Sequence, residues 1–217
     1  MTTPSTTRRE AERQKVRQLI LSAARVLFAD QGVSSVTLRA IANSISYTPG
    51  AIYKHFESKE QILQTICEEH FMLLANKTTQ VMGIADPVER IQSLGLEYIR
   101  FAVHHPHHYR LMFMTPLSIE ASPALNANRG SPHQDGYALL EWSVEEALRA
   151  GRLRDTISAT KTLIAQTLWA GVHGVASLEI IMCKDSWFNW EPLSARINLM
   201  IAALTESLFR PAGATKL

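Results

Sequence analysis

Side chains that attack, ligate or carry protons are present in this 217-residue chain, but few of them stand in a working arrangement. The densest set is His104-His105-Pro106-His107-His108, and neutral imidazoles are common zinc ligands. The spacing argues against a metal, because the proline interrupts the helix and adjacent helical histidines point in different directions. No Cys or carboxylate lies within the run. Cys67 and Cys183 stand 116 positions apart and form neither a disulfide framework nor a C-x-x-C pair. Neither G-x-S-x-G nor a phosphate-cradling glycine loop is present. The expectation is no catalytic residue, no metal and no cofactor; the alternative is a helical metal- or small-molecule-binding protein or enzyme using the His104 to His108 region.

A second pattern belongs to binding rather than to catalysis. Thr48, Pro49, Gly50 and Ala51 open a short segment with small or polar residues, which leaves its backbone N–H groups accessible to phosphate. Tyr53 and His55 can donate to phosphate oxygens, Lys54 can reach a base edge or a phosphate, and Lys59 can clamp the neighbouring strand. Thr37 and Arg39, at the start of the preceding helix, complete the DNA-facing set. Charge agrees with this: residues 1 to 60 hold nine Lys and Arg against five acids, whereas the remaining 157 hold 13 against 15. A basic head on a mildly acidic body suits a chain whose first quarter meets a polyanion, although a solvated charged face gives the same sum.

The elements that must position these groups are helices almost throughout, with few candidate strands. Val16, Leu19, Ile20, Ala23 and Leu27 form one helical face between Arg13 and Asp30, ended by Gly32. Thr37 caps a helix from Leu38 to about Ile45, and Thr48-Pro49 opens another to about His55, with Ile52 and Phe56 turned inward. Ser58 and Gln61 read as a capping box for a long helix toward Met82. Asp86-Pro87 opens the next, with Ile91, Leu94, Tyr98 and Phe101 inward and an end near His105, and a short piece spans His107 to Met114. Residues 115 to 136, rich in Pro, Gly, Ser and Asn, read as a mostly irregular loop. Helices follow over about Tyr137 to Ala150, Ala159 to Met182 and Leu193 to Phe209. The class is all-α: a three-helix helix-turn-helix head over residues 1 to 60 and a helical body over 61 to 217. No window approaches a membrane span and the first ten residues are too polar for a signal peptide, so the expected compartment is the cytoplasm.

The run Val36 to Ala42, then Thr48-Pro-Gly-Ala-Ile-Tyr-Lys-His-Phe56, then Ser58-Lys59-Glu60 and Leu63 closely resembles the DNA-binding head of the tetracycline-repressor (TetR) family. The likeness covers about residues 13 to 62, and the spacing of Ile41-Ala42, Gly50, Tyr53, Phe56 and Lys59 carries it. Leu168-Trp-Ala-Gly-Val-His-Gly174 is similar to the Trp-x-x-x-His-Gly signature of one C-terminal ligand-binding subclass. One departure stands in the turn, where the family usually has Ala-Gly-Val and this chain has Ile45-Ser46-Tyr47. Serine there either takes a left-handed backbone at a cost of about 1 kcal/mol or alters the turn.

The resemblance implies operator DNA, a small-molecule effector and a second copy of the chain as partners. Tyr98, Phe101, His105, Tyr109, Met112, Phe113, Trp142, Trp169 and His173 are the candidate ligand residues, apolar bodies with a few polar tips, although such a stripe serves equally as core. Trp169 and His173 stand at i and i+4, hence on one helical face. Ala170, Gly171, Gly174, Ala176 and Ser177 lower the propensity of their helix, which close approach of another helix would offset; the resemblance implies a four-helix interface between two subunits. A dimer also lets one short recognition helix read a palindrome, with half-sites about 34 Å apart.

Overall fold

The computed structural model describes residues 4–115, 123–183 and 186–213, with the side chains of 4–7 and 123–125 excepted. Its helices are α1 (Pro4–Gln31), α2 (Leu38–Ser44), α3 (Pro49–Tyr53), α4 (Lys59–Thr78), α5 (Pro87–His104), α6 (Pro106–Phe113), α7 (Pro123–Asn128), α8 (Gly136–Arg149), α9 (Lys161–Ile181) and α10 (Leu193–Leu208). A 3-10 turn, Thr79–Gly83, ends α4. Among the described residues the only extended pairing is one bridge between Leu153 and Phe209. The chain forms two compact units, Met1–Glu69 with Leu111–Ser122, and His70–Arg110 with Pro123–Leu217.

Local chemistry sets most helix starts where the sequence places them. Thr37, Thr48 and Thr160 each accept a backbone N–H three residues on, and Asp86 and Asp135 each accept two. The box before α4 closes one residue early: Ser58 Oγ accepts from Gln61 N, while Gln61 Oε1 accepts from Glu57 N at 2.6 Å. Helix α1 begins nine residues before the expected Arg13. Its extra turns have no apolar stripe for periodicity to detect, but they are rich in Arg, Glu and Gln, which hold a helix locally, as in the Gln14 to Glu10 bond. In the segment expected to be irregular, residues 116–122 lie outside the described ones, and Pro123–Asn128 is helical. Six residues crowded with Asn are too short to show a period.

In the first unit α1 buries Ile20, as expected, but with Leu21, Ala24 and Phe28, while Val16, Ala23 and Leu27 are half-buried and Leu19 is 43% exposed. Residues 19–28 are apolar on nearly every side, so two registers fitted the same stretch. Val36, Ile41, Ala42, Ile52, Phe56, Ile62, Leu63 and Ile66 complete this core.

The second unit packs α5, α8, α9 and α10 around Val88, Ile91, Leu94, Leu139, Val144, Ile164 and Leu168. Arg90 is buried within it at 3% exposure. Its guanidinium donates to Ser143 Oγ and Ile84 O, pairs with Glu146 and lies 4.0 Å over the Trp142 ring. Each of the three guanidinium nitrogens thereby donates once and the ring face covers the plane, which lets the charge be buried. Helices α9 and α10 approach closely at Gly171, where a Cβ would clash with Leu204 Cδ1 and stand 3.0 Å from Met200 Sδ. At Gly174 a Cβ would meet nothing within 4 Å.

Between α2 and α3, Ser46 takes the left-handed conformation, φ 59°. Its side chain is exposed, so replacing Ser46 by glycine relieves backbone strain without opening a cavity. Ser46→Gly should therefore raise unfolding free energy by about 1 kcal/mol, read as a higher urea midpoint at constant slope. A lower midpoint would contradict it.

Candidate nucleic-acid interface and effector site

Helix α3 is five residues long, so every restraint on it comes from its neighbours. Thr48 caps it, Pro49 sets its first turn, and Ile52 and Phe56 are fully buried beneath it. Arg17 of α1 holds its far end: the guanidinium donates to His55 O at 3.1 Å and lies 4.1 Å over the Phe56 ring. Sequence reasoning missed Arg17. The signal was its place on the buried α1 face, three and seven residues before Ile20 and Ala24.

What α3 turns outward is Gly50, Tyr53 and Lys54; Tyr53 is 58% exposed. Among the described residues a Cβ on Gly50 would touch only Thr48 Oγ1, at 4.0 Å, so none of them requires a glycine there. Glycine at that point costs helix propensity of about 1 kcal/mol relative to alanine. Thr37 and Arg39 are exposed at the start of α2, and Pro49 and Ala51 are half-buried. Lys59 is half-buried, with its Nζ donating to Val33 O at 2.8 Å, so it pins the connection between α1 and α2. His55 is half-buried, and its pKa is held below the ordinary value by burial first and then by Arg13, Arg17 and Lys54.

In the second unit, four of the candidate ligand residues meet. The Tyr98 hydroxyl lies 2.9 Å and the Tyr109 hydroxyl 2.8 Å from His173 Nδ1, and Tyr109 also donates to His173 O at 3.1 Å. Trp169 meets the His173 ring edge-on at 6.0 Å. The i, i+4 pairing of Trp169 and His173 thus brings both to the same place. Burial pushes the Tyr98 hydroxyl up to about 12, raises Tyr109 further and lowers His173, so the cluster is uncharged at neutral pH. Phe101 is buried, with its ring 5.1 Å from that of His105. Trp142 stands apart from the cluster, under Arg90. Met112 is buried and Phe113 half-buried, and both belong to the first unit.

The histidine run does not converge on a point. His104 Nδ1 donates to Arg100 O, whereas the His105 and His108 rings stack at 5.0 Å, and His108 stacks on His70 at 3.7 Å and 5°. Near-parallel rings send their lone pairs along parallel lines, away from a common metal. Among the described residues no group of three or more His, Cys, Asp or Glu is placed to hold a metal ion.

The half-buried His173 carries a pH dependence. Its folded pKa lies below its unfolded one, so the unfolded chain binds the proton more readily, and stability falls as pH drops below about 6.5 toward the folded value. His173→Gln keeps both a donor and an acceptor but cannot titrate. Urea midpoints between pH 7.5 and 5.5 should therefore fall less steeply in the variant than in the wild type; equal slopes would exclude this role. His55 contributes in the same direction.

Comparison with known proteins fits this geometry. Residues 20–66 match the family described as bacterial regulatory proteins, tetR family, and residues 91–182 match the tetracyclin repressor-like C-terminal domain. Over 92 residues the chain is 32% identical to the HTH-type transcriptional repressor KstR2 of Mycolicibacterium smegmatis, a stretch that is 42% of this chain and 44% of that protein. The match thus spans less than half the length of this curated relative. The fold is similar to that of a protein of unknown function from Rhodococcus sp. RHA1, with TM-score 0.71 and 21% identity over 89% of this chain and 95% of that one. It is also similar to SmeT, the repressor of the Stenotrophomonas maltophilia multidrug efflux pump SmeDEF, with TM-score 0.66 and 21% identity over 90% and 91%. Among the described residues no helix is long and apolar enough to cross a membrane. With its head and its C-terminal part both matched within one family, the chain belongs to the tetracycline-repressor family of bacterial regulators.

Proposed function

We propose that the protein is a ligand-responsive transcriptional repressor that binds a palindromic operator as a homodimer and is released by a small apolar or aromatic effector. It performs no catalysis and works in the cytoplasm, with residues 1–60 on the DNA and 61–217 binding effector and partner. The observation that carries this reading is Gly50, a glycine in a recognition helix that neither the backbone nor the packing of the described residues requires. A duplex pressed against α3 would require it. Thr37, Arg39, Thr48, Tyr53, Lys54, His55 and Lys59 would then supply phosphate and base contacts.

The uncharged cluster of Tyr98, Tyr109, Trp169 and His173 supports an effector site for a neutral, largely apolar molecule with a hydrogen-bonding oxygen. This cluster also supports the Trp-x-x-x-His-Gly subclass. The effector would favour a body conformation whose two heads are wrongly spaced for the operator, a population shift.

A dimer face is supported by α9. Leu163, Thr167, Ala170, Gly174, Leu178 and Ile181 recur at spacings of three and four and lie half-buried or exposed on one side, and on α10 Leu199 is 73% exposed. The small residues of α9 divide between two tasks. Gly171 serves the intramolecular approach of α10 and Ala176 lies in the core, while Ala170 and Gly174 remain on the outer side.

The test is fluorescence anisotropy on the DNA upstream of the protein's own gene at two salt concentrations, followed by a panel of apolar and aromatic compounds. Specific binding that strengthens at low salt and is released by a compound is the expected result; an intact helical protein with no sequence preference would overturn it. Tyr53→Phe should weaken operator binding by roughly tenfold, the value of one hydrogen bond to a charged group, without changing the urea midpoint. Unchanged affinity would remove Tyr53 from the contact set. Gly174→Leu should leave a folded monomer in sedimentation, whereas a fully dimeric variant would move the interface elsewhere.

A further inference from the structure

The N-terminal turns of α1 have no evident structural purpose. Residues 8–15 are all exposed, and burial along the helix begins in earnest at Ile20. At 1.5 Å per residue the stretch from Arg8 to Ile20 projects about 18 Å. It carries Arg8, Arg9, Arg13, Lys15 and Arg17 against Glu10 and Glu12.

Arg17 fixes the direction of this arm, because it is bound to His55 O and stacked on Phe56. Arg13 and Arg9 stand four and eight residues earlier, hence on the same face. They line a groove of about 350 Å³ together with Glu12, Val16, Lys54 and His55. Three cations thus face one carboxylate. Among the described residues no ion pair joins Arg9, Arg13 or Lys54. His55 Nδ1 is buried with no hydrogen-bond partner. Arg17 also occupies the carbonyl at the end of α3, which would otherwise repel an anion.

We propose that Arg9 and Arg13, with Lys54 and His55, form a second phosphate-binding site that grips the DNA backbone beside the segment read by α3. The site rests on the reading of the head as DNA-binding and extends it to a part of α1 outside the helix-turn-helix. Its ligand is a phosphodiester: Lys54 and His55 directly follow the recognition helix, so a duplex read by that helix carries its backbone past them. Burial first, and then the positive charges of Arg13, Arg17 and Lys54, hold the His55 pKa below its ordinary value, a shift that a nearby anion would reverse.

The experiment uses the full-length chain and a duplex enriched from random DNA. Arg9→Gln/Arg13→Gln keeps good helix formers at two exposed positions, so circular dichroism should be unchanged. Binding should weaken alike on enriched and scrambled duplexes, and the slope of log K against log salt should fall by about two. In NMR titrations the His55 ring should become harder to deprotonate on duplex in the wild type and stay unchanged in the double variant. If the wild type enriches no DNA, the DNA-binding reading itself fails and this site with it. If the wild type binds specifically and the double variant has the same affinity and salt slope, only the arm site is overturned. Saturable binding of inorganic phosphate at His55, with no change in DNA affinity for the double variant, would assign the groove to a free anion and also overturn it.

Discussion

A helix of five residues cannot hold itself together in water, and the whole head is arranged around that constraint. Helix α3 keeps its shape because Thr48 and Pro49 start it, Ile52 and Phe56 anchor it and Arg17 grips its last carbonyl. Each restraint acts on the inner side or at an end, which leaves Gly50, Tyr53 and Lys54 facing outward. Rigidity is borrowed from α1 and α2, and the recognition surface consists of what remains. The same logic explains why Lys59 serves its own fold first, through Val33 O.

The second unit solves a different problem, that of placing uncharged polar groups in an apolar interior. Arg90 shows how a full charge is accommodated: two neutral acceptors, a carboxylate and an aromatic face surround it. The Tyr98, Tyr109 and His173 cluster is accommodated by neutrality instead, with three polar tips satisfying one another. Such a cluster holds its geometry yet can exchange partners with a ligand oxygen at small net cost. Helices α9 and α10 are brought close at Gly171, which leaves their other sides apolar and open.

Much of the fold was legible because capping and periodicity are local. The starts at Thr37, Thr48 and Asp86 follow from single side chains, and Ile91, Leu94, Tyr98 and Phe101 are buried as their spacing requires. The register of α1 was not legible, since residues 19–28 offer two apolar faces and only tertiary packing chooses between them. Nor was the length of α1, because a charged helix without a stripe has no period to read. At the candidate effector site the pairing of Trp169 with His173 came from helical spacing. The meeting of Tyr98 and Tyr109 at one imidazole nitrogen depends on residues 64 and 75 positions away, which no local pattern encodes. Trp142 shows the limit of composition: a large aromatic in a helical body lies under an arginine rather than in the cluster.

A chain with a borrowed-rigidity recognition helix has its purpose outside itself, on DNA, and the open apolar side of its body supports the proposal of a second copy as partner. Selection of binding sites from random duplexes by the full-length protein tests that claim most directly, because it presupposes neither the operator nor the effector. The enriched sequences should share a two-fold symmetric consensus whose half-sites lie about one helical turn, roughly 34 Å, apart. A pool that stays random, or a single half-site without a symmetric partner, would contradict it.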